Sequence, residues 1–307
     1  MLKQLPLILA LFATPATADL YARADIDRVR TRAAPTIESS LRNGIVANLP
    51  RAERPRAAQI RLEFPEKGDH PMAFFSDPAN GVVYMPLESI RFFDDISTLR
   101  AWFLGKNCQQ DFIQSYFNSF LRNRQPLPSP LRAFAIDRDK ALGDAYTNST
   151  SDRLYSSGLL YILAHEVGHI MLGHQPGLTG AASRQQEIEA DAYAMDHFAR
   201  VGAMPIGALI YYLAAWWRDP VGEDVSLGSH PVSAERIRVM AGRMMQNPAD
   251  FSHAEADGPQ GQAIVRQVAG LLLGLAETVA DEEMLTINGQ LLDRDFPPTA
   301  FASACPS

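Results

Sequence analysis

The sequence predicts an α+β fold that is mostly helical, and three observations predict it. Apolar residues recur at helical spacing over long stretches, in 20–47, in 96–122 and through most of 150–281. One short region, 59–92, changes period: Gln59-Ile60-Arg61-Leu62-Glu63-Phe64 alternates, and brief apolar runs follow it, as strands require. The bulk composition, 47% hydrophobic and 21% charged over 307 residues, is ordinarily globular and sufficient for a sizeable core. The expectation is a small antiparallel sheet packed on a bundle of helices. It forms a single domain over 19–307, with its core in about 59–92 and 150–250 and helical extensions at both ends.

The first residues read as an address. Lys3 precedes a short apolar run, Leu5 to Phe12, and Ala16-Thr17-Ala18 has the small-x-small pattern of a cleavage site. Residues 1–18 are therefore expected to be a signal peptide, the alternative being an uncleaved anchor, and the chain to be periplasmic or secreted. The two cysteines, Cys108 and Cys305, invite a disulfide in an exported chain, with two free thiols as the alternative. A net charge of −7 without any basic run argues against nucleic acid or an anionic membrane surface as partner.

Residues 20–47 read as one or two amphipathic helices with a break at Pro35. Short strands follow at about 59–64, 72–75 and 82–85, the last two joined by the turn Asp77-Pro78-Ala79-Asn80-Gly81. Residues 96–122 form helix with an aromatic face, Leu99, Trp102, Phe103, Phe112, Tyr116 and Phe120, that reads as core. From Gln125 to about 150 the chain is polar and poorly periodic, a loop able to cover a cleft. The next helix starts near Thr150, Ser151 or Asp152, is apolar on most sides as a buried central helix should be, and stops at Gly173. Arg184 to Val201, a helix opened by Pro205, another opened by Ser229-His230-Pro231, and about 259–281 complete the series. The apolar run Val268 to Leu275 is flanked by Arg266 and Glu277 and reads as core, so no membrane span is expected after residue 18.

The central helix carries His165-Glu166-Val167-Gly168-His169. Residues four apart share a helical face, so both imidazoles point at one spot with a carboxylate beside the first. That is two thirds of a catalytic zinc site together with its general base. A third ligand is needed, and His174, His197, Glu187, Glu189 and Asp191 are the candidates. His174 is five residues past His169, where the longer metzincin pattern has six, and His197 sits on another face from Asp191. Glu187 and Asp191, four apart, can face the motif helix across an antiparallel pair. Glu187 would then bind zinc and Asp191 would hold the far nitrogen of a ligand histidine, with Ala190 and Ala192 keeping the helices close. A solvated acidic face is the alternative.

Taken in order, His165-Glu166-Val167-Gly168-His169, Glu187-Ile188-Glu189-Ala190-Asp191 and His230-Pro231-Val232-Ser233-Ala234-Glu235-Arg236-Ile237 resemble the HtpX-like and CAAX prenyl endopeptidase family of gluzincin zinc peptidases. The resemblance covers about 155–245. It implies a minigluzincin-like helix bundle, Zn2+ bound by His165, His169 and Glu187, Glu166 as base, and Asp191 behind a ligand. It also implies that His230 and Arg236 border the cleft, with His230 stabilising the oxyanion or reaching the metal, and that 72–92 holds a substrate-binding edge strand. The multiple membrane spans of that family are missing here, and 93–150 has no counterpart in it. The function expected is zinc endopeptidase action on extracytoplasmic polypeptides. The alternative is a non-proteolytic or latent zinc-binding chaperone or assembly factor.

Overall fold

The structure, a computed structural model, describes residues 19–218, 232–254, 256, 258–281 and 297–305. The expected signal peptide and His230 lie outside those residues. Helices dominate, and three short strands form one sheet. The α+β, mostly helical expectation therefore holds.

The N-terminal segment is helical throughout, through α1 (Arg23–Arg28) and α2 (Ala34–Ser39), with wider π turns at Val29–Ala33 and Ser40–Ile45. Pro35 does not break it. The proline enters in the first turn of α2, directly after a π turn, where its missing N–H and its ring are accommodated. Ile26, Val29, Ile37, Leu41 and Ile45 are its buried stripe. After α3 (Arg54–Ala57) come β1 (Arg61–Glu63), β2 (Phe75–Asp77) and β3 (Val82–Tyr84).

The sheet is mixed, not antiparallel as expected. Its order is β1-β3-β2, with β2 antiparallel to β3 and β1 parallel to β3. Asp77 accepts from the Asn80 amide, and Gly81 takes φ +64°, so this turn closes β2 and β3 as a hairpin. The longer connection from β1 to β2 leaves room for β3 to insert between them, which alternation alone cannot foretell. β2 is thereby an edge strand, and it packs on the motif helix.

Two long helices make the centre of the core. α4 (Leu87–Gly105) is buried on nearly all sides, and α8 (Ala145–Leu172) lies against it. Between them α5 (Asp111–Phe117) falls within the stretch expected to be helix, while α6 (Pro130–Ala133) and α7 (Arg138–Gly143) occupy the stretch expected to be a loop over a cleft. That stretch is core instead: Phe134 packs edge-on against Phe103 and tilts against Tyr116 and Phe301. Helices of four and six residues leave no period to read. Phe301 comes from α13 (Pro298–Ala302), which a disulfide between Cys108 and Cys305 ties to the end of α4.

α9 (Gly180–Val201), α10 (Ala208–Arg218), α11 (Ala234–Gln246) and α12 (Gly258–Ala280) complete the bundle. α12 packs on α11 through Val265, Ala269, Leu272 and Ala276. By length and composition it could cross a membrane, and only 22% of its apolar stretch is buried, so the core reading fits one face of it.

Candidate metal centre

α8 begins at Ala145, five residues before the expected start. The Asp144 carboxylate accepts from the Thr147 amide, and the first turns are too polar to show a period. Its C-terminal half, Tyr161 to Ile170, is buried on every side. Gly173 ends it in the left-handed conformation, φ +72°, which glycine adopts at little cost. The short connection to α9 makes the two helices antiparallel: Tyr161 meets Asp191, His165 meets Glu187 and Asp191, and Gln175 meets Gln186.

A glycine sets how closely they pack. A Cβ on Gly168 would sit 3.0 Å from the Tyr193 Cβ and 3.3 Å from the Ala190 Cα. Gly168 and the buried Ala190 form the contact, while Ala192 stands to one side and accepts from Arg243 through its carbonyl. The close approach delivers Glu187 to the two histidines.

His165 Nε2 lies 3.1 Å from His169 Nε2 and 3.3 Å from Glu187 Oε2, and His169 Nε2 lies 3.4 Å from Glu187 Oε1. A tetrahedral ion with bonds of ~2.0–2.1 Å has ligand–ligand edges of roughly 3.3–3.4 Å. The three side chains already form one face of such a tetrahedron. Two imidazoles and a carboxylate suit zinc better than calcium or magnesium, which prefer oxygen alone. Among the described residues they are the one group of three or more His, Cys, Asp or Glu able to hold a metal ion.

Behind the triad lies a buried ionic cluster. Asp191 Oδ1 accepts from His165 Nδ1 at 2.9 Å and from the Tyr161 hydroxyl at 2.8 Å. This contact favours a proton on His165 Nδ1, with Nε2 turned toward His169 and Glu187, where an ion could be held. Arg236 grips the same carboxylate with both arms, Nε to Oδ2 at 2.6 Å and Nη2 to Oδ1 at 2.9 Å, and reaches Glu187 Oε2 with Nη1 at 3.0 Å. Its guanidinium lies over the Tyr212 ring, whose hydroxyl bonds that of Tyr161. Arg236 is 0% exposed. It sits behind Glu187 and Asp191 and does not border a cleft, because α11 packs on α9 and drives it inward.

The electrostatics follow from this packing. Burial works against charge on Asp191, but Arg236 and His165 hold its carboxyl well below the usual range. Burial likewise opposes charge on His165, yet Asp191 and Glu187 override it and push the imidazole up to about 10. Burial carries His169 the other way. The pocket thus favours positive charge between its carboxylates.

Glu166, 0% exposed, lies beside the triad, and Ser76 on edge strand β2 donates to its Oε2 at 2.9 Å. Of the remaining candidates, His174 and Glu189 pair with each other, His174 Nε2 to Glu189 Oε2 at 3.1 Å, and His174 turns its other nitrogen to His169. His197 is buried away from the triad beside Phe198. Tyr161, Tyr212 and Ser76 were not expected. Tyr161 is one turn before His165 and so shares its face, a readable signal; Tyr212 and Ser76 arrive from other elements and carry none.

No curated protein and no solved structure matches the chain. A family model described as Peptidase U49 does match, over residues 107–256. The matched stretch contains α8, α9 and α11 and with them His165, Glu166, His169, Glu187, Asp191 and Arg236. The chain is therefore similar to a peptidase family across this stretch, and that similarity supports a peptidase with a polypeptide substrate.

Proposed function

We propose that the chain is a zinc-dependent endopeptidase. The observation that carries the reading is the triangle of His165 Nε2, His169 Nε2 and Glu187, with edges of 3.1, 3.3 and 3.4 Å, beside the carboxylate of Glu166. When bound, zinc would supply an acidified water and polarise the scissile carbonyl. The protein's own groups do the rest. Glu166 takes the water proton and hands it to the leaving amine, while Ser76 holds that carboxylate in place from the edge strand. Asp191 keeps His165 in its Nδ1–H tautomer, and Arg236 balances Asp191 and Glu187. The narrower kinship with HtpX-like gluzincins rests on the three sequence motifs. Export to the periplasm or beyond, with misfolded envelope proteins as substrates, rests on residues 1–18 and on the disulfide, which persists in oxidising compartments.

Zinc content and casein cleavage test this together. Wild type should bind zinc and cleave; Glu166→Gln should keep the metal and lose cleavage by a factor of about 10² or more. Equal cleavage by both refutes Glu166 as base, and undiminished zinc in Glu187→Ala refutes the third ligand.

One observation favours a second reading, a latent enzyme. His165, Glu166 and Glu187 are buried, and Ser76 already occupies one oxygen of the base. A zinc-loaded wild type that cleaves only after limited proteolysis would favour latency. One that never cleaves would favour a chaperone or assembly factor on the same fold.

A further inference from the structure

We infer that His174 is a positioning residue for the metal ligand His169, itself fixed by Glu189. The inference rests on the zinc-site reading above. Gly173 in its left-handed conformation reverses the chain, and the His174 amide donates back to the His169 carbonyl at 3.0 Å. The His174 ring folds under the last turn of α8, with its side chain 6% exposed and its Nδ1 2.8 Å from His169 Nδ1.

The proton count then has one solution. His169 offers Nε2 to the ion, so its proton is on Nδ1, and that N–H donates to His174 Nδ1. His174 must therefore carry its own proton on Nε2, which donates to Glu189 Oε2 at 3.1 Å. Gln185 steadies the other Glu189 oxygen at 2.8 Å. Gln186 clamps the loop by bonding both the amide and the carbonyl of Gln175, which fixes where His174 can go.

Each ligand histidine thus has its own support: the buried Asp191 behind His165, and a histidine backed by the half-exposed Glu189 behind His169. His174 itself is not a ligand, because it meets the ring nitrogen of His169 that points away from Glu187 and His165.

The experiment measures zinc affinity by chelator competition and cobalt(II) absorption in the full chain. His174→Ala should weaken zinc roughly 10- to 100-fold. The cobalt bands should keep four-coordinate intensity, since no ligand is lost. His174→Asn, whose amide oxygen can accept from His169, should restore affinity to within about threefold of wild type. Glu189→Ala should fall between. Unchanged affinity in His174→Ala overturns the inference, as does failure of His174→Asn to restore it, or cobalt bands that change coordination class. Should wild type itself bind zinc no better than His165→Ala, the underlying site reading fails instead. Thermal melts in excess chelator separate these results from loss of folding.

Discussion

Arg236→Met should be among the most damaging single changes in this protein, and more so without metal. Arg236 is wholly buried and meets two buried carboxylates, Asp191 at 2.6 and 2.9 Å and Glu187 at 3.0 Å. At a separation of ~3 Å and an effective dielectric near 20, each ion pair is worth about 5 kcal/mol of attraction. Removing the guanidinium also removes its own desolvation penalty, several kcal/mol, so the gross figure is not the net one. Broken buried pairs cost about 3–5 kcal/mol, and two stranded anions place this variant at the upper end. Methionine fills most of the volume, which keeps cavity formation out of the result. The assay is urea unfolding in excess chelator, wild type against variant. Adding zinc should shrink the deficit, because the dication takes over the balancing of Glu187. A companion variant, Arg236→Met with Asp191→Asn, should recover part of the loss. A deficit below about 1 kcal/mol in chelator, or one that zinc leaves unchanged, would refute the view that Arg236 holds the site's charge together.

Two further outcomes follow from particular contacts. Ser76→Ala removes one hydrogen bond to the Glu166 carboxylate, worth about 1.5 kcal/mol at the low end of charged bonds, so kcat on casein should fall about tenfold with KM unchanged. Ser76→Thr should retain activity, and a change confined to KM would show that Ser76 touches substrate instead. His197 is 0% exposed, its ring nitrogens have no hydrogen-bond partner among the described residues, and burial beside Arg200 pushes its pKa down from 6.5 to about 4. The unfolded chain takes up that proton near pH 6.5 and the folded chain only near 4, so stability is lost as pH falls through this window. Wild type should lose about 2.5 kcal/mol more than His197→Leu between pH 7.5 and 4.5 in urea titrations. Parallel losses in the two proteins would place the acid sensitivity elsewhere.

How much of this was readable in the sequence depended on how local each signal is. The motif helix, α9 and the aromatic core of α4 carry their own periods, and Gly173 and Gly202 mark their ends by backbone conformation. Glu187 and Asp191 could be placed because a helical hairpin with a short connection has few geometries. The sheet was harder. Three-residue strands fix neither partner nor direction, and β3 enters between β1 and β2 for reasons of packing. Arg236 was visible as a residue but not as a depth, since burial depends on how α11 docks on α9. His174 was set aside because it sits at the wrong interval for a ligand. Interval arguments test ligation and overlook support from behind, which the reversal at Gly173 provides.

The charges of the site connect these features. Three buried carboxyl groups converge, Glu166, Glu187 and Asp191, and the nearby buried cation is Arg236. Formally the pocket holds two more negative charges than positive ones. Burying such an excess is costly unless positive charge completes it, and a divalent cation would cancel it fully. Without an ion, a proton is the substitute, which is why His165, wedged between Asp191 and Glu187, is pushed up to about 10. The same reasoning explains the division of labour between the carboxylates. Asp191 is bound twice by Arg236 and once by His165, so it stays an anion that orients and takes no part in proton transfer. Glu187 shares one oxygen with Arg236 and keeps the other toward His169. Glu166 accepts from the Ser76 hydroxyl on the edge strand, which ties the proposed base to the element expected to hold substrate.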